Sequence, residues 1–121
     1  MKKRIVAAID VGSHAIRMKI GELKGSGEFV ELETFRKTAI IGHDTFLTGN
    51  ITYDSIDRVC EILKNFKKRM EAYKVTTYKA LATSAFREAL NRDYVLDQIR
   101  QRTGLKLEVI NNAQEQFLTF K

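Results

Sequence analysis

No proline interrupts the 121 residues, and cysteine occurs once, as Cys60. A lone cysteine cannot close an intrachain disulfide, which removes the disulfide-stapled classes and fits a reducing compartment. No apolar run reaches the roughly 18 residues of a helical membrane span. The amino-terminal stretch Ile5–Ile9 gives way to Asp10 too soon for a secretory signal. Internal repeats, low-complexity tracts and linkers are missing as well, so one domain, or one lobe of a larger protein, is expected over 1–121. The expected setting is soluble and cytoplasmic, with no membrane partner.

Apolar residues make up 44% of the chain, which is enough for a core and excludes wholesale disorder. Lysine and arginine number 21 against 15 acids, a net charge of +6. That excess is scattered, and its densest cluster, Lys64, Lys67, Lys68 and Arg69, falls on the solvent side of a predicted helix. The aromatics follow core periodicity rather than interleaving with basic residues as in single-strand binders, so no specific nucleic acid is expected.

Ile5–Ile9 reads as a buried strand and Ala15–Ile20 as a half-exposed one, with Ile16, Met18 and Ile20 opposite Arg17 and Lys19. Phe29–Phe35 is a third strand, in which Phe29, Glu31, Glu33 and Phe35 share one parity; the mixed pattern suggests an edge or twisted strand. Residues 38–50 show no clear period and read as a loop. Thr52 then caps an amphipathic helix over 53–72, in which Ile56, Val59, Cys60, Leu63, Phe66 and Met70 recur at three and four. A strand over Thr76–Ala82 and a short turn or helix through Phe86–Leu90 follow. Asn91 caps a second helix that buries Val95, Leu96 and Ile99 and stops at Gly104. Leu105–Ile110 is the last strand, and a further helix starts at Ala113. The order β-β-β-α-β-α-β-(α) gives a mixed sheet with helices packed on it, an α/β plan.

Three segments at strand ends carry chemistry. In Asp10-Val-Gly-Ser-His-Ala-Ile-Arg17, an acid and a Gly/Ser turn join two strands, and such a hairpin can converge backbone N–H groups on an anion. Asp10 suits a Mg²⁺ that keeps most of its waters, although the same residues also make a plain turn. In Ala82-Thr-Ser-Ala-Phe-Arg-Glu-Ala-Leu-Asn91, Arg87 offers a planar fork to phosphate oxygens, or pairs with Glu88 or Asp93 at the surface. Glu115 lies in the first turn after the last strand, where acids serve either chemistry or the helix dipole. His43 sits in the irregular loop, far from His14 in sequence, and two histidines with one cysteine match no zinc spacing.

Together these segments resemble the exopolyphosphatase and guanosine pentaphosphate phosphatase (Ppx/GppA) family, within the actin-like, sugar-kinase and Hsp70 superfamily. Ala8–Met18 resembles its first phosphate hairpin, Ala82–Asn91 a second and more specific segment, and Leu107–Phe120 a third, in family order. The resemblance implies a ribonuclease-H-like lobe and, in the intact protein, Mg²⁺-dependent hydrolysis of a terminal phosphoanhydride in inorganic polyphosphate or guanosine pentaphosphate. It implies Glu115 as the residue that activates water and Asp10 as the metal residue. Gly12, Ser13, His14 and Arg87 would bind phosphate. Where the family usually has Asn, this chain has His14; where it has Ser-Gly, Asn111-Asn112; and where it commonly has an acid, Gln114. The implied partners are the substrate, a second lobe of the same protein and a second copy in a homodimer. The lobe alone would hold half a site and be inactive. The other reading is a regulatory module that binds an alarmone or polyphosphate without turnover.

Overall fold

The computed structural model describes residues 4–110, apart from the side chains of Asp44, Phe46 and Ser84. The elements run β1 (Arg4–Val11), β2 (Ala15–Leu23), β3 (Phe29–Thr38), α1 (Gly42–Thr48), α2 (Tyr53–Ala72), β4 (Thr77–Ala82), α3 (Ser84–Glu88), α4 (Arg92–Thr103) and β5 (Glu108–Val109). One five-stranded sheet has the order β3-β2-β1-β4-β5. Its first three strands form the expected antiparallel meander, and β1–β4 and β4–β5 are parallel. The mixed sheet read from the sequence is therefore the sheet found.

Alternation along the strands decides which face is buried. Ala7, Ile9 and Val11 of β1, Ile16, Met18 and Ile20 of β2, and Ala80 and Ala82 of β4 form one apolar face. Against it lies α2, whose Ile56, Val59, Cys60, Leu63, Phe66 and Met70 are all buried, and α4 adds Val95 and Ile99. Thr52 caps α2 as expected, its hydroxyl accepting from the Ser55 N–H at 3.2 Å. Burial is the main influence on the Cys60 thiol and pushes its pKa up, with Arg102 and Lys64 opposing, so Cys60 behaves as a core hydrophobe. No helix among the described residues is long and apolar enough to cross a membrane.

Several expectations from the sequence need correction, beginning with β1, which is buried on one face only and leaves Ala8 exposed. Residues 42–48 are helical, not loop; α1 ends at Gly49, whose φ of 81° is a left-handed cap conformation suited to glycine. It is too short for a hydrophobic period to register. In β3, the pairing steps from Ile20–Glu33 to Gly21–Glu31 and skips Leu32. This bulge reverses the facing of everything before it. Phe35 meets the Phe66 ring at 6.1 Å on the core side, whereas Phe29 covers Gly21 on the opposite face, where a Cβ would run into its ring. The two phenylalanines do not share a face. The last strand shrinks to Glu108–Val109. The basic cluster on α2 is only partly solvated: Lys67 donates to the Thr103 carbonyl at the end of α4, and Arg69 lies 5.4 Å over the Phe35 ring.

Asn91 stands at the cap position of α4 but makes no capping bond there. Its amide instead accepts from the Ile51 N–H at 3.0 Å and donates to the Ile51 carbonyl at 2.9 Å. Beside it, the Leu90 N–H donates to the Gly49 carbonyl at 2.7 Å. These bonds join the α1–α2 connection to the α3–α4 junction. Asn91→Ala is expected to lower unfolding free energy by about 1–3 kcal/mol, since both polar groups of the buried Ile51 lose their partner. Denaturant titration should show a lower midpoint at unchanged slope; an unchanged midpoint would show that water replaces the amide without cost.

Candidate active site at the strand ends

Because β1, β4 and β5 run parallel, their carboxyl ends emerge at one edge of the sheet, where ligands bind in open α/β sheets. The β1–β2 hairpin reaches that edge from β1. Thr83 follows β4 and is buried; its N–H donates to the Val11 carbonyl at 3.1 Å and its hydroxyl to the same oxygen at 3.4 Å. The Ile110 N–H, past β5, donates to the Ala82 carbonyl at 3.0 Å. Hairpin, Thr83 turn and β5 end are thus linked by backbone bonds.

Within the hairpin, a Cβ on Gly12 would lie 3.3 Å from the Ala15 carbonyl oxygen and 4.0 Å from Thr83 Oγ1. The position is glycine because the turn closes against itself and against Thr83. The Gly12 N–H donates to the Ala15 carbonyl at 3.0 Å, so it serves the turn. Donors toward an anion are therefore to be sought at Ser13 and His14. Asp10, the last exposed residue of β1, pairs with Arg17 on β2 and Leu81 on β4 in the strand register. No cluster of three or more His, Cys, Asp or Glu side chains able to hold a metal occurs among the described residues. A single carboxylate suits an ion completed by water and substrate phosphate, which is how Mg²⁺ is commonly held.

Arg87 sits on α3, whose first turn is fixed by bonds from the Phe86 and Arg87 N–H groups to the Thr83 carbonyl, each 3.1 Å. Its Nη1 donates to the Ile110 carbonyl at 2.9 Å, which holds the guanidinium at the strand-end edge between β4 and β5. Arg92 Nη1 in turn donates to the Arg87 carbonyl at 3.2 Å. The structure therefore brings Asp10, Gly12, Ser13, His14 and Arg87 to one edge. Glu115, with Asn111, Asn112 and Gln114, lies outside the described residues.

Sequence reasoning missed what α1 contributes. The Ser13 carbonyl accepts from both Ile41 N–H, at 2.8 Å, and Gly42 N–H, at 3.0 Å, and the His14 carbonyl accepts from Ala39 N–H at 2.9 Å. A Cβ on Gly42 would stand 3.0 Å from Ser13 Cβ, so glycine lets α1 seat directly on the hairpin. Between them opens a cavity of about 610 Å³, lined by Ser13, His14, His43, Thr45 and Glu88 among others. Both histidines of the chain meet there, although 29 positions separate them. The Gly49-Asn50 step was the signal that could have revealed a short helix ending at residue 48.

The model of the Ppx/GppA phosphatase family matches residues 24–121. The chain belongs to this family. Exopolyphosphatase 1 of Mycobacterium leprae is 30% identical over 115 residues, covering 95% of this chain and 34% of that protein. A bifunctional 3-dehydroquinate synthase/phosphatase of Fusobacterium nucleatum is 26% identical, with 18% of its length covered. The structure of the Aquifex aeolicus Ppx/GppA family member superposes with a TM-score of 0.89 at 32% identity, covering 94% of this chain and 37% of that one. This Ppx/GppA chain thus spans about a third of the M. leprae and A. aeolicus relatives.

Replacing Arg87 by lysine in this Ppx/GppA chain keeps the charge but cannot reproduce the fork that reaches Ile110. Arg87→Lys is expected to lower unfolding free energy by about 1.5–3 kcal/mol at most, the range for a hydrogen bond from a charged group. Calorimetry or denaturant titration checks this, and full stability in the variant would show that the Ile110 bond contributes nothing net.

Proposed function

We propose that the intact protein hydrolyses the terminal phosphoanhydride of inorganic polyphosphate, with guanosine pentaphosphate as the second substrate to be compared. The observation that carries this reading is the convergence, in a Ppx/GppA chain, of the Asp10–His14 hairpin, the Thr83–Arg87 turn and the end of β5 at one sheet edge. In this reading Ser13, His14 and Arg87 hold the terminal phosphoryl group, through short donors and a planar guanidinium. Glu115 accepts the proton of the attacking water as its oxygen bonds to phosphorus and the bridging P–O bond breaks. One phosphate and a chain shorter by one unit leave. Mg²⁺, held by Asp10 with water and substrate, supplies neutralisation of the phosphoryl charge when bound. A second lobe completes the cleft, so the lobe alone is expected to bind weakly and not to turn over. The proposed setting is the cytoplasm, where the free Cys60 thiol stays reduced.

The test is phosphate release by the full-length protein, with Mg²⁺, from polyphosphate and from guanosine pentaphosphate in parallel. Release is expected from at least one of them, and Glu115→Gln should cut kcat by about 10²-fold or more, the usual contribution of a general base. Folded protein that releases phosphate from neither substrate, yet binds either one saturably, would make the protein a binding module and end the hydrolase reading.

A further inference from the structure

At the strand-end edge, the cavity between hairpin and α1 shares Ser13 and His14 with the phosphate hairpin and adds His43 and Glu88, which the proposed hydrolysis does not use. Its described ionisable groups come from three elements: His14 from the β1–β2 turn, His43 from α1 and Glu88 from α3. His14, His43 and Glu88 are all exposed. Gly42 and Ala85 supply uncharged wall, and the Thr45 hydroxyl is turned to the Ile41 carbonyl at 3.3 Å rather than serving a ligand. Two imidazoles and one carboxylate could suggest a metal, but they do not converge as a three-ligand group. Imidazole is also the side chain whose charge changes between pH 5 and 8, and when protonated both its nitrogens are donors. With both rings protonated, the cavity is net positive despite Glu88. Ser13, which this cavity shares with the hairpin, makes it continuous with the phosphate site.

We propose that His43, together with His14 shared from the hairpin, forms a second anion subsite beside the hairpin, which takes the next phosphate groups of an extended polyphosphate chain and binds them more tightly as the imidazoles gain protons. This rests on the phosphoanhydride reading and adds to it a substrate feature, chain length, and a dependence on pH. Glu88 opposes the anion and sets how far protonation must go before the subsite attracts. An orthophosphate held at the hairpin alone leaves the subsite unfilled, whereas tripolyphosphate is long enough to occupy both.

The experiment follows the imidazole C2–H signals by NMR from pH 5 to 8, with and without tripolyphosphate, using His14→Gln and His43→Gln to assign each signal by its disappearance. Binding that favours the protonated rings must by reciprocity raise their titration midpoints. A rise of about 0.5 pH unit in each is expected, equal to about threefold tighter binding per protonated ring. Tripolyphosphate affinity in the unmodified protein should therefore gain about tenfold over His43→Gln and His14→Gln together between pH 8 and pH 5.5, and about threefold over His43→Gln alone. The anion's own protonation is common to all these proteins and cancels from the comparison. Glu88→Gln should strengthen binding about two- to threefold at pH 7.5, because an opposing charge is gone. An unmoved His43 midpoint alongside shifted amide signals of Gly12 and Ser13 would overturn the subsite and leave the hairpin reading standing. Absence of any shift at saturating tripolyphosphate would overturn both.

Discussion

Val6–Val11 of β1 lies in parallel register against Thr77–Ala82 of β4, and the position of every functional segment follows from that pairing. Two parallel strands cannot be joined by a tight turn; the chain needs a crossover. Here that crossover carries β2, β3, α1 and the 20-residue α2, which covers the apolar face made by Ile9, Val11, Met18 and Ala80. The same register sets the ends of β1 and β4 side by side, so that the Val11 carbonyl can accept from both the backbone and the hydroxyl of Thr83. The core thus forms on one side of the strand pair while the chemical edge forms at its end.

Rigidity at that edge comes from backbone groups more than from side chains. The hairpin carbonyls of Ser13 and His14 are taken by Ile41, Gly42 and Ala39; Gly49 receives Leu90; Asn91 clasps Ile51. Asn91 and Arg87 act through their side chains, the Asn91 amide on Ile51 and the Arg87 guanidinium joining α3 to Ile110. Under the proposed function, an arginine anchored in this way loses less rotamer freedom on meeting phosphate, which is one way to preorganise a site. Fixed donors of this kind favour the charge of a phosphoryl group over the same donors reorienting in water.

How much of this could be read from sequence depended on length and period. Helix α2 repeats its apolar positions over five turns, and β2 alternates from Ile16 to Ile20, so both were legible, as was the mixed sheet. The seven residues of α1 hold too few turns for periodicity, and its helix is fixed instead by the Ser13 carbonyl and the Gly49 cap. The β3 bulge was invisible because nothing local marks Leu32 as the extra residue; it is defined only by pairing with β2. Asn91 has the right chemistry for a cap, yet a tertiary partner, Ile51, competes for it and wins. The hairpin and Arg87 are legible as motif residues, whereas nothing in the sequence puts His43 with His14, since it is α1 that brings both to one cavity.

The residues around the cavity differ from the core in what they can tolerate. Ile40, His43 and Glu88 are exposed, and the segments that carry them are held by backbone bonds that any side chain leaves intact. Exchanging such residues costs little stability, since surface substitutions away from packing and caps stay within about 0.5 kcal/mol. Gly12 and Gly42 are the opposite case: a Cβ at either would press on Ala15 or Ser13 and move the hairpin itself. The edge therefore separates into a part that must keep its residues to keep its shape and a part that is able to vary its charge. His14 falls in the second part, exposed in the turn, where a change of side chain leaves the β1–β4 pairing beneath undisturbed.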